Sequence, residues 1–309
     1  MSSARIVDAE LERSVRRRKL IDQLFVLTGM VILFASLLTL GLLFLKLVHD
    51  GAGRFGWDFF TNFPSRNAAR AGILSAWVGT CLVMLVTVAA AMPIGIAAAI
   101  YLEEYASKNW LTAIIEINVT NLAGVPSIIY GLLALGLFVY KFGFGQSILS
   151  AGLTLALLIL PVVIVATREA IRSIPGVIRE GAYALGATKW QTTADHILPY
   201  SIPGILTGVI IGLARAIGET APIITIGALT FIAFLPPAPF TGDPAAGPFD
   251  WLFAPFTVMP IQMFNWTSRP EAAFHQNAAA AGLVLVVMTL SMNALAIYIR
   301  YRLRKNIKW

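Results

Sequence analysis

The sequence predicts an all-α integral membrane protein with six transmembrane helices. Of the 309 residues, 58% are hydrophobic and only 13% are charged, and the mean hydropathy is +0.77. Soluble domains average about 45–50% apolar and about 25% charged residues. This composition excludes a soluble two-domain protein and an intrinsically disordered chain.

Six apolar runs are long enough to cross a bilayer, which takes about 20 residues in a helix. The runs cover residues 20–48, 72–102, 111–140, 148–168, 200–233 and 278–299. Four of them exceed this length by enough to predict tilt or an interruption. The predicted organisation is a tail at 1–19, a six-helix domain at 20–299 and a second tail at 300–309.

The charges between the runs predict the orientation. With the N-terminus inside, sixteen of the 23 lysines and arginines fall on the cytoplasmic side, and the five outside are Arg54, Arg66, Arg70, Lys141 and Arg269. Cytoplasmic loops of membrane proteins carry such an excess. We therefore expect a multi-pass protein of the cytoplasmic (inner) membrane, in contact with lipid, with both termini inside. The net charge of +7 largely reflects this asymmetry, so no nucleic-acid partner is expected.

Residue types needed for disulfide, metal or hydrolase chemistry are sparse. Cys81 is the only cysteine, which excludes an internal disulfide. His49, His196 and His275 lie far apart in the sequence, and no metal site is expected. The sequence has neither an H-E-x-x-H zinc motif nor a G-x-S-x-G nucleophile motif. We expect a protein that is not an enzyme.

Two loops are unusually long. The outer loop at 234–277 holds eight of the sixteen prolines, so it cannot be a regular helix throughout. It is either an irregular cap on the outer surface or a docking or gating surface for a partner outside the cell. The cytoplasmic loop at 169–199 is the second.

The cytoplasmic loop is predicted to hold two short helices around a turn at Gly186. Pro175 suits the first turn of one helix. Thr188 and Gln191 form a capping-box pattern that begins the other, and Pro199 is expected to end it before the fifth apolar run.

The same loop resembles a family motif. Permease subunits of binding-protein-dependent ABC importers carry Glu-Ala-Ala, three residues, Gly, nine residues and Ile-x-Leu-Pro. Here the matching residues are Glu180, Ala182, Gly186, Leu198 and Pro199, whereas Gly181 replaces an alanine and His196 an isoleucine. The resemblance implies the type I ABC importer permease fold, with the segment from Glu180 to Gly186 as a coupling helix docked on an ATPase subunit.

No phosphate loop of the form G-x-x-x-x-G-K-[ST] is present in the sequence, so no cofactor is expected in this chain. By the resemblance, ATP and Mg are bound by two separate ATPase subunits, whose movement the coupling helix transmits as a rigid body. A pair of amphipathic helices lying on the membrane surface is the alternative interpretation of this loop.

Two charged residues lie within the fifth apolar run. Arg215 is about 20 Å along a helix from Ile202, so both it and Glu219 fall near mid-bilayer, where a charge facing lipid costs about 2.5–3.5 kcal/mol. Four residues apart on one helix, they are expected to pair beside a kink at Pro222. They form either a structural ion pair between helices or a translocation site for an anion.

The chemistry of the pair favours a particular anion. Arginine stays charged and offers a planar fork of donors that suits oxyanions. Ionised Glu219 accepts a hydrogen bond only from a ligand that still carries a proton, which favours phosphate over sulfate. Thr220 adds a hydroxyl beside the pair.

Polar residues of the third run are predicted to join this site. Asn121 and Ser127 flank Pro126, and with Asn118 they follow a spacing of three and six positions, which brings them towards one side of a helix. They are expected to face the same cavity. Hydrogen bonds between helices are the alternative role.

Three stretches of sequence resemble one particular subunit within this family. ARAIGETAP in the fifth run, NLAGVPSIIYGL in the third and FTVMPIQMFNW in the outer loop look like the smaller permease subunit of the phosphate-specific importers of that family. The resemblance associates Arg215 and Glu219 with phosphate passage. It implies three kinds of partner: a second phosphate permease chain, two ATPase subunits and an extracytoplasmic phosphate-binding protein. A permease for molybdate or sulfate, and a secondary transporter driven by an ion gradient, are the alternatives.

Overall fold

The computed structural model describes residues 2–238 and 247–304, and every regular element in those ranges is a helix. The α-helices are α1 Ser2–Gly51, α2 Trp57–Thr61, α3 Leu74–Ile100, α4 Trp110–Leu122, α5 Ser127–Ala134, α6 Ile148–Arg172, α7 Gly176–Ala184, α8 Lys189–Gln191, α9 Leu198–Ala216, α10 Ala221–Ile226, α11 Met259–Thr267 and α12 Ala272–Arg304. π-helical turns cover Tyr101–Tyr105, Leu135–Lys141 and Thr192–Ile197. Pro239 and Pro244 of the outer loop, and the tail beyond Arg304, lie outside the described residues.

Five continuous helices within the described ranges are long and apolar enough to cross a membrane, and a bent pair of helices makes a sixth candidate span. The continuous ones are Val15–Arg54, Leu74–Tyr105, Ile148–Arg172, Lys189–Ala216 and Ala272–Arg302. The predicted six-span, all-α membrane fold is therefore confirmed. The third and fifth spans are both interrupted, which is one of the two outcomes that their excess length predicts.

The third span is broken, and an interruption is one of the two outcomes that the excess length of the run over 111–140 predicts. α4 ends at Leu122, and α5 starts at Ser127 with its axis bent by 108°. Pro126 explains the break, because it is extended (φ −55°, ψ 134°), lacks an N–H and disfavours a helical residue before it. The Tyr130 hydroxyl donates to the Leu122 carbonyl at 2.7 Å, which satisfies a backbone group that lipid cannot.

The fifth span is interrupted as well, close to Pro222, where the sequence predicts a kink. Its helix ends at Ala216, four residues follow, and the short α10 stops at Gly227 with φ +94°. Gly218 is a poor helix former, and Pro222 has no N–H with which to continue the ladder. The left-handed conformation at the end of α10 favours glycine.

At its N-terminal end the fifth span is longer than expected. Pro199 does not end a separate short helix, because one helix runs through Lys189–Ala216. The π-helical turn at Thr192–Ile197 alters the hydrogen-bond ladder just ahead of the proline, which cannot donate. The predicted capping box is confirmed: Thr188 Oγ1 accepts from the Gln191 N–H at 3.3 Å, and Gln191 Oε1 accepts from the Thr188 N–H at 2.8 Å.

The core lies where α3, α6 and α9 pack together. Small residues let these helices approach closely, since a Cβ added to Gly152 of α6 would overlap Val86 of α3, and one added to Gly208 of α9 would overlap Ala166 of α6. In lipid, such packing drives helix association because no hydrophobic effect acts between the helices. These three helices form the scaffold on which the broken spans rest.

Part of the outer loop folds into this core. Phe256 is fully buried, the Ile148 N–H donates to the Ala254 carbonyl at 3.2 Å, and the Met259 N–H donates to Thr80 Oγ1 at 2.9 Å. This part of the loop is therefore not an irregular cap on the outside of the protein. It packs against the N-terminal parts of α3 and α6.

The first helix stands away from the rest of the chain. The apolar stretch within Val15–Arg54 buries none of its residues, and side chains such as Phe25 and Leu40 are 80% and 65% exposed. Contact with α12 is made only near its outer end, where a Cβ on Gly51 would lie 2.7 Å from the Ala280 nitrogen. An apolar face of this length must be covered by lipid or by another protein.

Substitution of Gly131 by alanine is predicted to destabilise the protein. A Cβ there would overlap Thr225 Oγ1 and lie 2.6 Å from Pro222 Cα, and overpacking of this kind costs about 1–3 kcal/mol. Gly136→Ala is the matched control, because nothing lies within 4 Å of its added Cβ and alanine favours a helix. Thermal unfolding in detergent should show a lower midpoint for Gly131→Ala alone. Equal midpoints for the two variants would contradict the close packing of α5 on α10.

Candidate functional site

The charged pair of the fifth span lies where α9 gives way to α10. Arg215 is in the last turn of α9, and its Nε lies 3.3 Å from Oε1 of Glu219. The Gly218 N–H donates to the Arg215 carbonyl at 3.3 Å, and the Glu219 N–H donates to the Ala216 carbonyl at 3.2 Å. These turns bring the carboxylate back to the guanidinium. The pair forms as its spacing predicts, but it bridges an interruption instead of lying on one continuous helix.

The pair is only partly enclosed by this chain. Arg215 keeps 39% of its side chain exposed and Glu219 keeps 19%. The cavity between Glu219 and the core of the chain measures about 10 Å³, which leaves room for one water at most. An anion could therefore reach Arg215 only from the open side of the chain.

Most donors of the arginine are left for a ligand. Within residues 2–238 and 247–304, its side chain makes one hydrogen bond, from Nε to Glu219. A guanidinium carries five N–H donors. The two terminal nitrogens of Arg215 are thus able to bind an oxyanion while Glu219 holds the group in place.

The broken third span packs directly on the segment that carries this pair. Gly131 of α5 lies against Pro222 and Thr225 of α10. Two interruptions of helical backbone therefore meet at one place. Non-helical backbone at membrane depth is tolerated only where it is buried in protein or lines a cavity.

The remaining predicted site residues are divided between two places. Thr220 precedes α10 directly and is partly buried, as is Ser127 at the start of α5. Asn121 is exposed and lines a separate cavity of about 390 Å³ together with Arg168. The predicted alignment of Asn121 and Ser127 on one helix face is wrong, because the 108° break lies between them. Thr220 stays beside the charged pair, whereas Asn121 faces α6.

The predicted coupling residues lie on and after α7. Glu180 and Gly181 are exposed, and a Cβ on Gly181 would meet nothing within 4 Å. Ala182 is the buried residue of this helix. Gly186 is exposed and has φ +85°, a conformation that favours glycine. Leu198 and Pro199 lie partly buried in the continuous helix beyond.

Large apolar side chains surround the exposed coupling residues. Val177 is 74% exposed, Leu185 is 91% exposed and Trp190 is 68% exposed. A cluster of exposed apolar residues next to charged ones is typical of a protein contact surface. Such a cluster fits both a docked partner and a helix pair lying on the membrane, the two interpretations that the sequence pattern allows.

Behind α7 lies a network of ion pairs that the sequence analysis missed. Arg168 of α6 has only 8% of its side chain exposed, and it lies 3.3 Å from Glu103 and 2.7 Å from Glu116 of α4. Arg172 lies 2.9 Å from Glu103. These arginines count only as cytoplasmic positive charge in the sequence. The adjacent acidic residues at the end of the second apolar run were the available signal.

A second ion pair ties α7 to the end of α3. Nη2 of Arg179 is 2.7 Å from Oε1 of Glu104, and the guanidinium also donates to the carbonyls of Ile171 and Ile174. Glu104 is 7% exposed. No cluster of metal-binding side chains occurs among the residues that the structure describes.

Comparison with known proteins identifies the family. The profile of the family described as "Binding-protein-dependent transport system inner membrane component" matches residues 91–309. The chain belongs to this family. It is therefore a multi-pass membrane component of a transport system and is not itself an enzyme.

Several relatives agree with this assignment. The chain is 30% identical over 284 residues to the probable ABC transporter permease protein YqgI of Bacillus subtilis, covering 90% of this chain and 95% of the relative. It is 31% identical over 297 residues to the phosphate transport system permease protein PstA of Yersinia pestis, covering 96% and 95%. The PstA 1 protein of Mycobacterium tuberculosis H37Rv is 33% identical over 230 residues, covering 74% and 70%.

Solved structures support the fold. A bacterial alginate ABC transporter, in complex with an alginate-bound periplasmic protein, matches with a TM-score of 0.59 at 18% identity, covering 88% of this chain and 94% of the matched chain. The MetNI methionine ABC transporter matches with a TM-score of 0.55 at 16% identity, covering 73% and 94%. The predicted type I ABC importer permease fold is thus confirmed.

Two arginines one turn apart on α6 are predicted to differ in their effect on stability. Arg168→Met leaves Glu116 without its arginine partner and Glu103 with Arg172 alone, and breaking a buried ion pair costs about 3–5 kcal/mol. Arg172 is 47% exposed, and an exposed pair contributes at most about 1 kcal/mol. Thermal unfolding of Arg168→Met and Arg172→Met in detergent should show the larger loss for Arg168→Met. An equal loss would contradict the buried network.

Proposed function

We propose that this chain is a permease subunit of an ATP-driven importer of inorganic phosphate. In this proposal the chain forms one half of the translocation pathway, and a second phosphate permease chain forms the other half. The observation that carries the proposal is the Arg215–Glu219 pair at the interruption of the fifth span, with arginine donors left for an anion. The names of the relatives from Yersinia pestis and Mycobacterium tuberculosis support the choice of substrate.

The pair suits phosphate for a specific reason. Phosphate keeps a proton near neutral pH, so it can accept hydrogen bonds from Arg215 and donate one to ionised Glu219. Sulfate has no proton to donate, and Glu219 would repel it. The carboxylate also offsets the charge of the arginine, so the anion binds without being trapped.

A second permease chain accounts for the surfaces that this chain leaves open. α1 is uncovered along its apolar length, α4 has no buried residue, and Arg215 opens away from the core of the chain. In the proposed assembly, the partner permease covers part of these surfaces and closes the pathway around the anion. Lipid covers the rest.

Two ATPase subunits supply the energy in this proposal, and they bind the ATP and Mg that this chain has no phosphate loop to hold. One of them docks on α7 and its exposed apolar neighbours. Closure of the ATPases on ATP moves the coupling helices as rigid bodies, and the permease pair then opens to alternate sides of the membrane.

In this proposal the outer loop and the basic segments lie on opposite sides of the membrane. An extracytoplasmic phosphate-binding protein delivers the anion at the outer surface, where part of the outer loop is folded into the core. The excess of lysine and arginine in the coupling loop and tails supports a cytoplasmic N-terminus. The protein then lies in the cytoplasmic (inner) membrane.

Arg215→Ala is predicted to abolish ATP-driven phosphate uptake while the complex still assembles. Removing the charged partner of a bound anion costs about 2–5 kcal/mol. Arg215→Lys keeps the charge but loses the planar fork, so uptake should be reduced but measurable. Arg300, which donates to Thr207 at 2.8 Å, offers a matched control, because Arg300→Ala leaves the site intact. The measurement is uptake of labelled phosphate into vesicles holding the full complex.

The result for Arg215→Ala separates two roles. Loss of assembly in this variant would indicate a structural ion pair and would contradict a translocation role. Normal phosphate uptake by an assembled Arg215→Ala complex would contradict the proposed function at this site.

Changes at the coupling segment are predicted to affect the ATPase. Glu180→Ala removes an exposed contact residue, and Gly186→Ala forces a residue with a Cβ into a left-handed turn, which costs about 1–2 kcal/mol. Gly176→Ala is the control, because its added Cβ meets nothing within 4 Å. We expect weaker co-purification of the ATPase, or loss of its stimulation, in the first two variants only. A normally bound and stimulated ATPase in both would contradict docking on α7.

A further inference from the structure

We propose that the ion pair between Arg179 and Glu104 is the joint through which α7 moves the membrane-spanning helices. This inference rests on the proposed function, because it takes α7 to be the element on which an ATPase docks. It assigns positioning roles to two residues that lie outside the family motif.

Arg179 points away from the docking surface although it precedes exposed Glu180. Its side chain is 22% exposed, and Nε and Nη2 lie 3.1 Å and 2.7 Å from Oε1 of Glu104. Nη1 donates to the Ile174 carbonyl at 3.0 Å, and Nη2 donates to the Ile171 carbonyl at 3.1 Å. One guanidinium thereby ties α7 to the end of α6 and to the turn that ends α3.

This tie is more directional than the other contacts of α7. Ala182 is the one buried residue of that helix, and Ile178 packs partly buried against the apolar cluster of Ile171, Ile174 and Ile197. Apolar contacts have no preferred direction and allow sliding. Charge-assisted hydrogen bonds fix both distance and orientation. A movement of α7 therefore pulls Glu104 with it or breaks a buried ion pair.

The preceding residue in the chain, Glu103, carries the movement onwards. Glu103 pairs with Arg168 and Arg172 of α6, and Arg168 also reaches Glu116 of α4. Glu104 is thus paired with α7, and the adjacent Glu103 is paired with α6. Arg168 extends this network to α4. Both glutamates belong to the π-helical turn Tyr101–Tyr105, an irregularity often found at functional sites.

From α4 the path leads to the candidate anion site. α4 is joined to α5 through the break at Pro126, and α5 packs on α10 at Gly131. α10 follows Glu219 by one residue. A continuous series of ion pairs and packed helices therefore connects the docking surface with the Arg215–Glu219 pair, which is the kind of physical network that transmits coupling between distant sites.

The test measures phosphate uptake per ATP hydrolysed by the full transporter in vesicles. Arg179→Ala and Glu104→Ala should each lower this ratio by about 5-fold or more, as expected for a typical coupling free energy, while the ATPase stays bound and hydrolyses ATP. The double variant should be no worse than the poorer single variant, because all three lack the same joint. Arg300→Ala is the control, because Arg300 donates to Thr207 and lies outside this series of ion pairs; its ratio should stay at the wild-type value.

Other outcomes overturn the proposal. Uptake and hydrolysis that fall in the same proportion, additive losses in the double variant, or an unchanged ratio would each contradict a joint. If the alanine variants do not assemble, Glu104→Gln decides, because it keeps a hydrogen-bond acceptor and loses the charge: a lowered ratio supports the joint and a normal ratio rejects it. Failure of the proposed function is a separate result, namely a wild-type complex that hydrolyses ATP and takes up no phosphate.

Discussion

Backbone groups that leave a helix inside a membrane must find polar partners within the protein, and this constraint determines where the candidate site lies. The third span breaks at Pro126, and the fifth span is interrupted after Ala216. The Tyr130 hydroxyl and the tight turns after Arg215 satisfy groups exposed by these interruptions. Because α5 packs on α10, both interruptions share one location. In the part of the chain that the structure describes, the charged pair lies beside these two interruptions.

The structure around α7 depends on a different interaction, in which charges hold together elements that are far apart in sequence. Arg168 lies 65 residues from Glu103, and Arg179 lies 75 residues from Glu104. These partly buried ion pairs give the short α7 a fixed relation to α3, α4 and α6. A helix with so few buried residues could not keep its place by apolar packing alone. In the proposed coupling, the same contacts transmit movements of the loop to the spans.

The sequence predicted those features that depend on neighbouring residues. Length and hydropathy gave the six spans, the four-residue spacing gave the Arg215–Glu219 pair, and local helix signals gave the capping box at Thr188. Features that depend on distant contacts were missed or wrong. Pro126 and Pro222 are both visible in the sequence, but only the packing of α5 on α10 reveals that the two interruptions coincide.

The remaining errors have the same cause. A helical spacing placed Asn121 beside Ser127, whereas the break sends Asn121 to the α6 side. Nothing in the local sequence tells which arginine will meet Glu103 or Glu104, because partners 65 to 75 residues apart are brought together only by the tertiary fold. Because Arg168 is buried beside Glu103, it has a structural role that its charge alone does not reveal.

The central claim is that the anion passes beside Arg215. Thiol labelling next to this residue tests that claim directly. Cys81 is the only cysteine, so a Cys81→Ser, Thr220→Cys chain carries a single thiol beside the pair. In the full complex, a small charged thiol reagent should block phosphate uptake, and phosphate delivered during ATP turnover should slow the labelling. Full uptake after complete modification of Thr220→Cys would contradict a pathway at this site.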